Sequence, residues 1–178
     1  PGSPCTKVFK HSLLEKNNLR FPDDRRVSED LGFVLQCILK AESYDALPIN
    51  YYYYRQAREG SITNRVTYKS FLGLKSFVKE ATDYLTENKI PKSDIERYAM
   101  SFVAYEFSIM IWQYSQIDDV YKDAAIKTLS EYSWVLRYGR TRKTHLVRRT
   151  VQLLGVNTTM KLMEIYMKLR SSNRGGKA

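Results

Sequence analysis

Phe21-Pro-Asp-Asp-Arg-Arg-Val-Ser-Glu-Asp30 leads into an amphipathic run that reaches Ala41, and the chain then reads Tyr51-Tyr-Tyr-Tyr-Arg-Gln-Ala-Arg-Glu-Gly-Ser61-Ile-Thr. Ser28 is a good N-cap residue, and Glu29 and Asp30 follow it in the first helical turn, where the macrodipole favours acids. Leu31, Val34, Leu35, Ile38 and Leu39 recur at helical spacing, which predicts a helix ending near Glu42. Residues 47–55, with Pro48, Ile49 and four tyrosines, have the aromatic enrichment and length of a strand. Arg58-Glu-Gly-Ser61 then reads as a turn, with Gly60 open to unusual backbone angles. The order of parts is an acidic pair opening a helix, an aromatic strand, and a basic turn bearing a hydroxyl.

Upstream, Cys5 to Phe9 reads as a short strand and His11 to Lys16 as a few residues of helix. Asn17-Asn18 signals a turn, and Pro22 stops the extended piece from Leu19 to Phe21. Downstream, the pattern is helical from Val66 to Asn88, with Phe71, Leu74, Phe77, Val78, Ala81 and Leu85 on one side. Pro91 separates it from a helix that opens with the capping-box pair Ser93 and Glu96 and runs to Gln116. Asp119 to Arg137 is the next helix. Two short amphipathic helices, Thr144–Leu154 and Thr158–Arg170, are divided by Gly155. The expected class is α+β and helix-rich. Two or three short strands and one helix precede residue 65, and only helices follow it.

The 178 residues suit one domain or slightly more, and 43% hydrophobic residues suffice for a core. A mean hydropathy of −0.46 with 27% charged residues indicates a soluble, folded chain. No apolar run approaches the roughly 18 residues that span a bilayer. The nearest, Tyr98 to Tyr114, carries Glu106 at its middle and reads as a buried helix. Neither a signal peptide nor metal-ligand spacing at Cys5 and Cys37 is visible, and Cys37 falls on the apolar face of its helix.

The net charge of +10 is unevenly placed. Residues 1–136 hold 18 basic and 18 acidic side chains, whereas residues 137–178 hold 11 basic ones and Glu164. Such a basic end suits an anionic partner, a membrane surface or nucleic acid.

Three features can carry chemistry, and each has an ordinary reading. Acids in a first helical turn are common capping decoration, but an ionised Asp30 at a rigid helix start can also accept a proton from a bound hydroxyl. The tyrosines can simply cover a half-buried strand. The Arg58–Ser61 turn can be a solvated loop, or it can offer N–H groups, a hydroxyl and a guanidinium to phosphate.

Together the segments resemble a known family. Lys7-Val-Phe-Lys-His-Ser-Leu-Leu, Leu19-Arg-Phe-Pro, Glu29-Asp30-Leu, Tyr53-Tyr-Arg and Gly60-Ser-Ile-Thr are similar, in that order, to the second half of bacterial family 2 glycosyltransferases. These are inverting enzymes of the GT-A fold that build capsule, lipopolysaccharide and other surface glycans. The resemblance covers about residues 3–65. It implies that residues 1–65 are the acceptor-side half of a GT-A catalytic domain and residues 66–178 its helical extension.

Asp30 matches the acid of the family's Glu-Asp motif, the general base that deprotonates the acceptor hydroxyl. Glu29 supports it, and Arg58 and Ser61 match a loop near the donor diphosphate. The family holds Mn²⁺ or Mg²⁺ with an Asp-x-Asp motif in a nucleotide-binding half. This sequence contains no Asp-x-Asp, and Asp23-Asp24 and Asp118-Asp119 have the wrong spacing. The metal ligands are therefore expected outside this chain, which is expected to be inactive by itself. Implied partners are a nucleotide-sugar donor and a glycan or lipid-linked acceptor.

In the basic end, Leu146, Val147, Val151, Leu153 and Leu154 fall on one arc and His145, Arg148, Arg149 and Gln152 on the other. Met160, Leu162, Met163, Ile165, Met167 and Leu169 form a second apolar arc opposite Lys161, Glu164 and Lys168. These helices either pack on the bundle with a solvated basic face or attach to an anionic membrane surface through residues 137–178. The implied location is cytoplasmic, or peripheral on the inner face of the plasma membrane. The rival readings are a basic helical nucleic-acid-binding or adaptor module and a non-catalytic scaffold. No nucleic-acid partner is expected, because no recognised motif appears and the basic helices lack interleaved aromatics.

Overall fold

The computed structural model describes residues 3–21, 28–53 and 66–175. It is an α+β, helix-rich molecule whose one sheet, among the described residues, is a two-stranded antiparallel hairpin. Helices α1 (His11–Lys16) and α2 (Glu29–Lys40) come first. They are followed by α3 (Tyr68–Leu85), strands β1 (Thr86–Glu87) and β2 (Ile90–Pro91), and α4 (Asp94–Tyr114). The chain closes with α5 (Lys122–Tyr132), a 3₁₀ turn from Ser133 to Tyr138, and α6 (Arg142–Gly175).

Two apolar clusters hold these elements. The larger is built from Phe71, Phe77 and Leu85 of α3, Met100, Phe107 and Met110 of α4, Leu129 of α5, Leu136 and Met160. The smaller joins Leu19, Phe33, Val34 and Cys37. Its Phe33 ring stacks on Phe21 at 4.1 Å and meets Phe9 edge-on at 5.4 Å. Helix α2 serves both clusters, because Leu31, Leu35 and Leu39, spaced four apart on one side, pack into the larger one.

The strands lie elsewhere than the sequence predicts. Cys5 falls in a 3₁₀ turn, Pro4–Thr6, started by the Ser3 hydroxyl and by a proline at its first position. Residues 7–10 are extended without a ladder partner. The described part of the expected tyrosine strand, residues 47–53, is likewise not in a sheet, and Tyr53 is 89% exposed. Aromatic enrichment marks a segment able to pair; a strand also needs a neighbouring edge, and no described residue supplies one here.

The hairpin instead cuts short the helix predicted to reach Asn88. Asn88 and Lys89 both take left-handed backbone angles, φ 49° and 65°, as a two-residue primed turn requires. The Lys92 ammonium donates to the Tyr84 carbonyl at 2.9 Å and so satisfies one of the α3 end groups. The expected α4 start is borne out, with Ser93 Oγ accepting from the Glu96 amide. The predicted helix over 119–137 divides into a 3₁₀ turn at Asp119–Tyr121, α5, and the second 3₁₀ turn. Gly155, at φ 73° and ψ 168°, breaks α6 where the sequence places the division between two helices.

Candidate functional site

Glu29 and Asp30 occupy the first turn of α2, as expected, and both are half-buried. The start of that helix differs from the sequence reading. Ser28 adopts the left-handed region, φ 67°, and its side chain caps nothing. Its carbonyl accepts from the Leu31 amide at 3.2 Å instead. The electrostatics also differ. Burial, and after it the charge of Glu29, push the Asp30 carboxyl above its ordinary value. A raised carboxyl is a better proton acceptor, and its place at a helix start fixes its position.

Arg58 and Ser61, expected at the donor diphosphate, lie outside the described residues, as does Tyr54 of the tyrosine run. The first three tyrosines, Tyr51 to Tyr53, follow α2 as an exposed extended segment. No group of three His, Cys, Asp or Glu side chains converges among the described residues, so these do not fit a divalent cation. Asp119, one of the two acids of the second Asp-Asp pair, contacts Lys122 at 2.6 Å.

A second constellation went unseen in the sequence. Between the hairpin, α4 and the 3₁₀ turn lies a cleft of about 500 Å³ lined by Ile90, Arg97, Arg137, Tyr138, Gly139 and Arg140. An adjoining cleft of about 480 Å³ shares Arg137 and is lined further by Trp134, Arg148 and Val151. Each arginine has a fixed setting. The Arg140 guanidinium lies 4.0 Å from the centre of the Tyr98 ring. That of Arg137 lies 5.2 Å from Trp134, and its Nε donates to the Trp134 carbonyl. Arg148 Nη1 donates to the Arg137 carbonyl at 3.4 Å. Arg97 lies 40 residues before Arg137, the first of the other three arginines, so no local spacing signals the whole set. Only the run of basic residues after 136 hints at three of the four.

The helical arcs of the basic end are corrected by α6. Val147 and Val151 face the core, but Leu146 and Leu153 are 68% and 82% exposed. Arg148, placed on the polar arc by the sequence, is half-buried. In the second arc Met160 is buried and Met163 packs on the core, while Leu162, Ile165 and Leu169 are exposed. Glu164 turns inward to the Lys122 ammonium. The bundle presents a narrow seam to α6, so only part of each apolar arc is covered. Among the described residues no helix is long and apolar enough to cross a membrane.

No family model matches the chain, and no solved structure does. It is similar to the poly(ribitol-phosphate) beta-N-acetylglucosaminyltransferase TarS of Staphylococcus aureus strain Mu50 / ATCC 700699, 34% identical over 55 residues. The same protein from strain MW2 matches equally. The matched stretch is 31% of this chain and spans 10% of the length of those relatives. What it carries is a local likeness to a glycosyltransferase.

Proposed function

We propose that this chain is the acceptor-side part of an inverting, family 2-like glycosyltransferase of the GT-A type. Residues 1–65 would belong to the catalytic domain and residues 66–178 would be its helical extension. The donor is a nucleotide-sugar, and the acceptor a glycan or lipid-linked hydroxyl in surface polysaccharide synthesis. Asp30 accepts the acceptor's proton as that oxygen bonds to the anomeric carbon. The bond from that carbon to the donor phosphate breaks in the same displacement, and a nucleoside diphosphate leaves. Glu29 supports the base by keeping its carboxyl a stronger proton acceptor. Arg58 and Ser61 hold the diphosphate. Any Mn²⁺ or Mg²⁺ would be held by residues other than those described and would neutralise the leaving group.

The observation that carries this reading is the local likeness to a named glycosyltransferase, together with a half-buried Asp30 of raised basicity at a helix start. The substrate in the name of those relatives, poly(ribitol-phosphate), points to a phosphodiester-linked polyol as acceptor, and the +10 end of the chain suits such a polyanion. The exposed leucines of α6, set among arginines, support peripheral attachment to an anionic membrane on its cytoplasmic side.

The test is sugar transfer by a version extended to include a nucleotide-binding half. Asp30→Asn is expected to lower kcat by about a hundredfold or more without a comparable rise in KM. Unchanged transfer would refute the base assignment. The 178-residue chain with metal and donor added is expected to transfer nothing, and turnover by it would sink the claim that it is a part.

A further inference from the structure

We propose that the two clefts meeting at Arg137 form one groove that binds successive phosphates of a phosphodiester-linked polyol or glycan polymer. This deepens the transfer reading and rests on it, since that reading supplies such a polymer as acceptor.

Four guanidinium groups from three parts of the fold face this groove: Arg97 of α4, Arg137 and Arg140 around the 3₁₀ turn, and Arg148 of α6. No carboxylate lines either cleft. Exposed Asp94 has its Oδ1 3.8 Å from Arg97 Nε, and among the described residues no salt bridge joins an acid to the other three. Folding has gathered four like charges with one exposed carboxylate at the edge of the set. That costs free energy unless an anion completes the set.

A second observation points the same way. Arg148 Nε is buried and has no hydrogen-bond partner. A buried donor left unmade costs about 1–3 kcal/mol and calls for a missing acceptor. Arg148 lines one cleft, Arg97 and Arg140 line the other, and Arg137 belongs to both. The cationic groups therefore lie along a path with Arg137 in the middle. A single small anion would leave one end unmatched, whereas a chain with repeating phosphates engages both.

The aromatic groups distinguish the polymer class. Proteins bind single-stranded nucleic acids by stacking the bases on open aromatic rings. Here the Tyr98 ring is already faced by Arg140 and that of Trp134 by Arg137 and Lys89. Tyr138 donates its hydroxyl to the Lys89 carbonyl at 3.2 Å. These rings hold the cations in place, so the groove reads charge and spacing rather than bases. A polyol phosphate, which has no π-face, fits that chemistry.

The experiment is titration of the 178-residue chain with a synthetic ribitol-phosphate oligomer, followed by calorimetry at two salt concentrations. Wild type should bind, with the affinity falling by about 0.7 in log K per log salt for each phosphate engaged. Arg137→Gln and Arg140→Gln should each weaken binding about tenfold. Arg149→Gln, an exposed charge on α6 that lines neither cleft, should change it less than about twofold. All three side chains are exposed, so the variants should keep the wild-type melting curve.

No binding by wild type overturns the proposal. Equal losses in all three variants also overturn it, because then diffuse charge does the binding. An oligothymidylate of equal charge that binds as tightly overturns the ligand class. The measurement needs no catalysis. Groove binding together with a transfer-dead extended enzyme would refute the transfer reading and leave the groove standing. Transfer with unaltered binding in the groove variants would refute the groove and leave the reading.

Discussion

Gly139 lies so close to Thr144 that a Cβ on it would stand 2.5 Å from the threonine hydroxyl and 2.6 Å from its Cβ. The Gly139 backbone is ordinary extended chain, φ −61° and ψ 135°, so space rather than conformation demands glycine. Thr144 has no room to retreat, being fully buried at the start of α6. It also exchanges hydrogen bonds with Thr141: each amide donates to the other's hydroxyl at 3.1 Å. This reciprocal box caps α6 and sets the reversal that brings Arg140 beside Arg137.

Gly139→Ala is therefore expected to destabilise the fold by about 1–3 kcal/mol, measured from urea midpoints. Adding Thr144→Ala should recover part of the loss, so that the double variant falls short of the sum of the singles. A wild-type midpoint for Gly139→Ala would show that the hydroxyl moves aside at little cost. Strict additivity would show that the contact is not the cause.

Glu106 sits at the middle of α4, 5% exposed, on a helix whose Val103, Phe107 and Met110 are also buried. Burial pushes its carboxyl from 4.5 up to about 7. The folded state thus favours the neutral acid more than the unfolded chain does. The resulting stability is complete below about pH 4.5 and is lost as pH rises through about 7, by at most about 3 kcal/mol. Urea midpoints should fall across that window for wild type and stay flat for Glu106→Gln. The glutamine variant should be the more stable of the two at about pH 8. The same slope in both proteins would assign the pH dependence to other groups.

The helices were legible because their signals are local. Phe71, Leu74, Phe77, Val78, Ala81 and Leu85 follow one helical stripe, and all are buried in α3. Ser93 and Glu96 announced α4. The hairpin was missed because Asn-Lys is a weaker turn signal than Asn-Gly, although both residues adopt the left-handed angles. Asp30 was legible as a helix-start acid, but the direction of its shift was not, since burial depends on the folded chain rather than on local spacing. The arginine groove was illegible for the same reason. Arg97 of α4 and Arg140 line one cleft although 43 residues separate them in sequence.

Lys122 clamps the end of the chain to α5. Its ammonium contacts Asp119 at 2.6 Å, pairs with Glu164 of α6, and lies 5.8 Å from the Tyr114 ring centre. The Lys122 and Glu164 side chains are both about one-fifth exposed, so solvent screens this pair less than a surface one. A double-mutant cycle with Lys122→Met and Glu164→Gln should give a coupling of about 0.5–2 kcal/mol. Amides of residues 159–167 should exchange faster in either single variant. Coupling under about 0.3 kcal/mol would mean that apolar packing by Met160 and Met163 holds the segment unaided.

Leu146 and Leu153 stand seven residues apart, as do Arg142 and Arg149, so all four fall on the outward side of α6 opposite Val147 and Val151. Leucines this exposed serve no purpose in the bundle, and the arginines beside them would meet anionic headgroups as the leucines enter the acyl boundary. Sedimentation with vesicles should therefore recover the chain on phosphatidylglycerol-containing bilayers and leave it in the supernatant with phosphatidylcholine. Leu153→Glu removes apolar area worth about 2 kcal/mol and adds a repelled charge, so it should cut partitioning by tenfold or more. Arg140→Gln, in the groove, should change it far less. Equal recovery on neutral and anionic vesicles would remove the membrane surface as a partner, and the exposed leucines would then call for a protein neighbour.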